Sequence, residues 1–114
     1  EWPPVGVYGN FCGEDTTFRV SIPTYRDGFP FTAPVGSFPK DQIGGLLDLA
    51  GNAAEWCEDM LDPAMAGKRV LRGGSWARST PDRYAISNRY HDQLAEDRQP
   101  DFGFRCVLEL DAGL

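Results

Sequence analysis

Gly45-Leu-Leu-Asp-Leu-Ala-Gly-Asn-Ala-Ala-Glu-Trp56 is the stretch on which the reading of this chain turns. Asp48, Asn52 and Glu55 offer side-chain oxygens, and the Gly51-Asn52 dipeptide tolerates the positive φ that turns backbone carbonyls towards one point. Two readings follow. In one, Asn52 caps a helical turn running through Trp56 and Cys57, Gly51 is a hinge, Glu55 is solvated and Trp56 enters the core. In the other, the oxygens surround a hard cation, for which carboxylate, amide and carbonyl ligands suit calcium.

The 114 residues are enough for one modest core and one domain. Thirteen Gly and nine Pro, set against few long periodic segments, predict a turn-rich fold sparse in regular structure. A net charge of −6 argues against nucleic acid or an anionic membrane as partner, since phosphate binding needs a basic field, and it favours cations. No apolar run is long enough to span a bilayer, so no membrane insertion is expected. The opening Glu1-Trp2-Pro3-Pro4, without an initiator Met, suggests a cut-down or processed piece. Cys12, Cys57 and Cys106 are an odd set without a Cys-x-x-Cys, which excludes a zinc knuckle and a disulfide-dense scaffold and permits at most one internal bridge.

Taken in order, residues 1–10 read as irregular and Thr16 to Ile22 as a short strand stopped by Pro23. Tyr25-Arg26-Asp27-Gly28 has tight-turn chemistry. Phe29 to Phe38 reads as an extended loop anchored by aromatics, because Pro30 and Pro34 forbid a helix, and Pro39 to Gly45 as a further turn. Arg69 to Trp76 reads as a strand running into a glycine kink, with the Trp76 indole folded onto the core. Residues 78–100 are polar and unpatterned, with one helical turn expected near Tyr84 to Arg89. Phe102 to Leu110 gives the clearest alternation, with Phe102, Phe104, Cys106, Leu108 and Leu110 predicted to face the core. Such a strand needs a partner, and none is evident upstream.

The opening stretch, followed by Arg69-Val-Leu-Arg-Gly-Gly-Ser-Trp76 and Gly103-Phe-Arg-Cys106, resembles the formylglycine-generating enzyme or sulfatase-modifying factor superfamily. The likeness extends back through Phe31-Thr-Ala-Pro-Val-Gly-Ser-Phe-Pro39 and Asp27-Gly-Phe29, and it corresponds to the C-terminal part of that domain. It implies an α+β, C-type-lectin-like fold with short antiparallel strands and irregular loops, completed by an N-terminal part that acts as a partner within the same domain. It also implies up to two calcium sites. The first would use side-chain oxygens of Asn10 and Asp27 with carbonyls of Phe11 and Phe29, and the second would use Asp48 and Glu55 with carbonyls of Gly51 and Ala53.

The family's oxidase activity uses a cysteine pair shortly after the Gly-Gly-Ser turn, where thiolates hold copper. Here that region reads Trp76-Ala-Arg-Ser-Thr-Pro-Asp-Arg-Tyr84, and no cysteine lies between Cys57 and Cys106. Formylglycine generation and bound copper are therefore not expected. The leading expectation is a non-catalytic, calcium-stabilised module presenting residues 77–101 to a protein or small-molecule ligand. Arg78, Asp82, Arg83, Tyr84, Asn88, Tyr90, His91 and Asp92 are its candidate contacts, a mixture of aromatic and small polar groups like that of adaptable paratopes. The arrangement is similar to that of retroelement-diversified variable proteins. An alternative is the substrate-binding part of an enzyme of the same superfamily, of the sulfatase-modifying oxidase type or like the thiohistidine sulfoxide synthases. In the synthase case Arg78, Asp82 and Arg83 would clamp carboxylates, and His91, the one histidine, cannot supply an iron site.

Overall fold

The structure is a computed structural model that describes residues 6–40, 42–80, 82, 89–90, 94–111 and 113, with the Tyr90 side chain excepted. Six short strands carry its regular structure: β1 (Gln42–Ile43), β2 (Leu46–Leu47), β3 (Ala54–Met60), β4 (Arg69–Arg72), β5 (Arg89–Tyr90) and β6 (Phe102–Gly103). β1 and β2 form a two-stranded hairpin, and the other four make a sheet in the order β5-β4-β3-β6. β3 pairs antiparallel with β4 and parallel with β6. No α-helix occurs among the described residues, so the helical part of the α+β expectation has no counterpart there. No helix of the described residues is long and apolar enough to cross a membrane.

Four expected elements are corrected. The helical turn from Asn52 to Cys57 is instead the start of β3. Asn52 stands at φ 71° and turns its amide away from the following backbone, accepting from Ala33 N at 2.9 Å and donating to Ala33 O at 3.2 Å. Without that side chain as a cap, and with Glu55 and Trp56 in register against Arg72 and Leu71, the extended form wins. Thr16 to Ile22 forms no strand. Its ends are held by Ile22 N to Cys12 O at 2.8 Å and Glu14 N to Tyr25 O at 2.7 Å, which close a loop and leave Val20 in solvent. The turn after it centres on Pro23 and Thr24, with a bend at Gly28. The Phe102 to Leu110 strand is paired only at Phe102–Gly103, and Phe104, Cys106, Leu108 and Leu110 lie exposed.

Other expectations hold. Val70 and Leu71 of β4 are buried, and the chain then kinks at Gly73 (φ 80°), where a Cβ would stand 2.8 Å from Leu49 O. Trp76 is buried, edge-on to Phe31 and stacked on Phe18, and Phe29 to Phe38 is an irregular loop pinned by the buried Phe38 ring. Gly44 and Gly45 make the two-residue hairpin turn between β1 and β2, both at positive φ, as such tight turns require.

The core has two small centres. Phe11, Ile22 and Tyr25 form one, and Ala54 and Leu71, covered by Trp56 and Phe102, form the other. They meet where Gly51 lies flat on Asn10. A Cβ at Gly51 would stand 2.6 Å from Asn10 O and 2.8 Å from the Phe11 ring, and Asn52 N donates to Asn10 O at 2.8 Å. Backbone cannot retreat as a side-chain tip can. Gly51→Ala is therefore expected to destabilise by about 3 kcal/mol, the upper part of the usual overpacking range, and to lower Tm by roughly 10 °C. Gly45→Ala, with no atom within 4 Å, meets only the left-handed backbone penalty of about 1 kcal/mol. Thermal unfolding of the two variants checks the order.

Candidate functional site

The first expected ligand group assembles where residues 10–11 meet residues 27–29. Asp27 accepts Phe11 N on Oδ2 at 2.9 Å and Phe29 N on Oδ1 at 2.9 Å. These contacts fix the carboxylate against both residues whose carbonyls the resemblance implicates. Burial pushes the Asp27 carboxyl above its ordinary value, outweighing the two amide donors that stabilise its charge. Asn10 is fully buried, and its Nδ2 donates to Phe31 O at 2.7 Å and Asn52 Oδ1 at 3.0 Å. Asn10 Oδ1 is buried with no hydrogen-bond partner among the described residues. The orphaned Asn10 amide oxygen and the partly buried Asp27 carboxylate are each oxygen donors of the kind a hard cation takes.

The second group is arranged differently. Asp48, Asn52, Ala53 and Glu55 share the wall of one hollow of about 550 Å³ with Arg105. Arg105 Nε lies 2.9 and 2.8 Å from the two Glu55 carboxylate oxygens, and its Nη2 lies 2.5 Å from Oε1. Nη2 also donates to Leu47 O at 2.9 Å, while Asp48 Oδ2 accepts Gly36 N at 2.7 Å. Gly51 O accepts Ala53 N at 3.0 Å. A guanidinium thus already neutralises the carboxylate and engages a loop carbonyl, so these oxygens do not fit a cation as they stand. No group of three or more His, Cys, Asp or Glu residues able to hold a metal occurs among the described residues.

Of the ligand-facing candidates, Arg83, Tyr84, Asn88, His91 and Asp92 lie outside the described residues, as does the expected turn near Tyr84, and Tyr90 is placed by its backbone in β5. Asp82 is exposed. Arg78 sits at the base of the segment, its Nε 3.4 Å from Asp101. Asp101 is the residue that sequence reasoning missed. Buried, it accepts Ser75 Oγ on Oδ2 at 2.6 Å, and its carbonyl accepts Ala54 N at 2.9 Å. One carboxylate therefore draws together both ends of residues 77–101 at the edge of the sheet. Its available signal was position, an acid two residues before Gly103-Phe104-Arg105. Phe18 and Phe31, half exposed against the buried Trp76, were also missed as part of this surface.

The three cysteines are free, with Cys12 buried, Cys57 partly buried and Cys106 exposed. Burial raises the thiol values of Cys12 and Cys57, which keeps both in the unreactive thiol form.

Residues 8–110 match the sulfatase-modifying factor enzyme 1-like domain, and the chain belongs to that family, whose members include formylglycine-generating enzymes. It is 37% identical over 86 residues to the inactive C-alpha-formylglycine-generating enzyme 2 of Mus musculus, the alignment covering 72% of this chain and 28% of that protein. It is 34% identical over 109 residues to the formylglycine-generating enzyme of Streptomyces coelicolor, covering 79% of the chain and 33% of the enzyme. With the serine/threonine-protein kinase Pkn1 of Chlamydia trachomatis it shares 34% identity over 95 residues, covering 69% of the chain and 15% of the kinase. The chain thus spans about a third or less of the curated relatives it matches. No solved structure matches it.

Asp101→Ala removes a buried acceptor of a charge-assisted bond and leaves Ser75 Oγ and Arg78 facing a gap. The expected loss is about 2 kcal/mol, with cleavage by a non-specific protease under native conditions concentrated within residues 77–101. Mapping the first cleavage sites by mass spectrometry in the variant and the parent checks this.

Proposed function

We propose that this domain is a non-catalytic ligand-binding module, stabilised by calcium at Asn10 and Asp27, that presents residues 77–101 from a clamped base. The observation that carries the non-catalytic reading is chemical: between Cys57 and Cys106 the chain has no cysteine with which to hold copper or form a redox pair after Gly73-Gly74-Ser75-Trp76. The mouse relative that is named inactive supports the same reading. The presenting role is supported by the Ser75, Arg78 and Asp101 contacts, which fix the two ends of the segment close together, while Arg89 and Tyr90 tie its middle to β4. Phe18 and Phe31 would add an apolar margin to the ligand surface.

Calcium at the first group would neutralise the desolvated Asp27 carboxylate, give Asn10 Oδ1 its missing partner and tie residues 10–11 to 27–29. The carbonyls of Phe11 and Phe29 are its further candidate ligands. At the second group Asp48 and Glu55, with the carbonyls of Gly51 and Ala53, would take a cation only if Arg105 left Glu55. One equivalent of calcium is therefore expected per chain.

Binding to the folded state alone at a hundredfold excess over Kd adds about 2.7 kcal/mol, a rise in Tm of roughly 10 °C. That increment should vanish with chelator and in Asp27→Asn, and calorimetric titration should give the stoichiometry. An unchanged Tm with and without chelator would remove calcium from the proposal. The pH dependence has a definite sign. With chelator present, Asp27 holds its proton more tightly folded than unfolded, so its contribution to stability falls as pH rises from the ordinary carboxylate range through its raised value. Protons compete with calcium there, so the calcium increment shrinks on acidification through the same window. The catalytic side is tested directly. Incubation with a sulfatase-type cysteine peptide, copper and reductant is expected to give no aldehyde, and turnover would overturn the non-catalytic reading.

A further inference from the structure

The loop between residues 11 and 27 carries charge that the proposed calcium site leaves unused. Of the ligands proposed there, the Asn10 amide, the Phe11 and Phe29 carbonyls and the Asp27 carboxylate, only Asp27 is charged, so a divalent ion held by them keeps half of its charge unanswered. A second carboxylate stands on the same turn. Gly28 N donates to Asp15 Oδ2 at 3.1 Å, while the next amide, Phe29 N, donates to Asp27 Oδ1 at 2.9 Å. Two successive amides thus draw two acids together. Burial raises the Asp27 carboxyl, and the negative charge of Asp15 adds to that rise. The Asp15 charge is weakly balanced from within the chain: its side chain is only 20% exposed, and Arg26, itself 66% exposed, stands 3.9 Å from it and closer to Glu14, at 3.1 Å. Asn10 points independently to a ligand. It is fully buried with its Oδ1 lacking a described partner, and the adjacent Phe11 N donates to Asp27 Oδ2 at 2.9 Å.

We propose that Asp15 supplies the second negative charge of this calcium site and so sets its affinity, with Arg26 as the opposing charge that limits it. The proposal rests on the calcium reading above and adds two residues to it. Asp15 is a positioning residue: it holds the 27–29 turn by the Gly28 amide and acts on the ion through its field. The attraction scales with the product of the charges, so a carboxylate one residue away from the ligands counts twice over for a divalent ion. Affinity for calcium accordingly follows the charge count of its site. Without the ion, the same two acids repel across the turn. The charge that favours calcium therefore works against the empty site, and Arg26 eases that repulsion at the expense of binding.

Calorimetric titration with calcium chloride at neutral pH and low ionic strength, on the parent chain and on Asp15→Asn and Arg26→Gln, tests this. Asparagine keeps an oxygen to accept Gly28 N and removes only the charge. Asp15→Asn is expected to weaken Kd about tenfold, and Arg26→Gln to tighten it about threefold, the smaller effect because the guanidinium is screened by solvent. Tm in chelator should stay close to that of the parent in both, which a merely structural role for Asp15 would not give. Added salt should weaken binding by the parent more than by Asp15→Asn. Glu14→Gln removes the same charge from the same loop, at a residue whose carboxylate accepts Thr24 N and not an amide of the 27–29 turn, and a smaller loss is expected. Calcium binding by the parent with an unchanged Kd in Asp15→Asn overturns the proposal and leaves the calcium reading standing. Equal losses in Asp15→Asn and Glu14→Gln overturn it as well, by reducing the effect to the general charge of the loop, and so does weaker binding in Arg26→Gln. A parent chain that binds no calcium overturns both readings.

Discussion

The contact on which the rest of the structure depends is the close approach of Gly51-Asn52 to Asn10. Asn52 spends its backbone and side-chain polar groups on three separate segments: its N–H on Asn10, its carbonyl on Trp76 N, and its amide on Ala33 and Asn10. Residues around 10, 33 and 76, distant in sequence, are thereby fixed to one point. In a fold without described α-helices and with strands of two to seven residues, little else supplies long-range order. The approach is possible because Gly51 has no Cβ to strike the Asn10 carbonyl. Both core centres rest on this junction, one through Phe11 and Ala50 and the other through Ala54.

Around the junction, buried and partly buried polar groups are handled in two contrasting ways. Asp101, Asp48 and Glu55 are answered from within the chain, by Ser75 and Arg78, by a backbone amide, and by Arg105 respectively. Asn10 keeps an amide oxygen lacking a described partner, and Asp27, though it accepts two backbone amides, has a carboxyl whose burial opposes ionisation. A buried acceptor left open costs more than a bond gained returns. That imbalance is why calcium is proposed at the first oxygen group rather than at the second.

Much of this was legible locally. The Gly73 kink, the burial of Val70, Leu71 and Trp76, and the irregular aromatic loop from Phe29 to Phe38 all follow from residues that allow few alternatives, since proline forbids a helix and only glycine takes the backbone found at the kink. Asn52 was legible as an important residue but not in its role. A helix cap and a tertiary bridge use the same amide, and the choice between them rests on Ala33 and Asn10, which local sequence does not place nearby. Asp101 gave still less signal, because a lone acid acquires meaning only when Ser75 and Arg78 reach it.

The C-terminal segment separates most clearly what each level decides. Alternation from Phe102 to Leu110 pointed to a strand with one face in the core, because side chains on extended backbone point to opposite sides, but only Phe102 and Gly103 pair. The sequence did determine the family, through motifs spread along residues 8–110, and the absence of a cysteine pair after the kink. Whether a face is covered was a tertiary decision. Arg105 turns in to Glu55, while Phe104, Val107, Leu108 and Leu110 all stay exposed, so beyond Gly103 neither apolar row is covered. A bidentate ion pair with carbonyl support fixes the register of an extended segment, and alternation alone does not carry that information because it is unchanged when the segment is turned over.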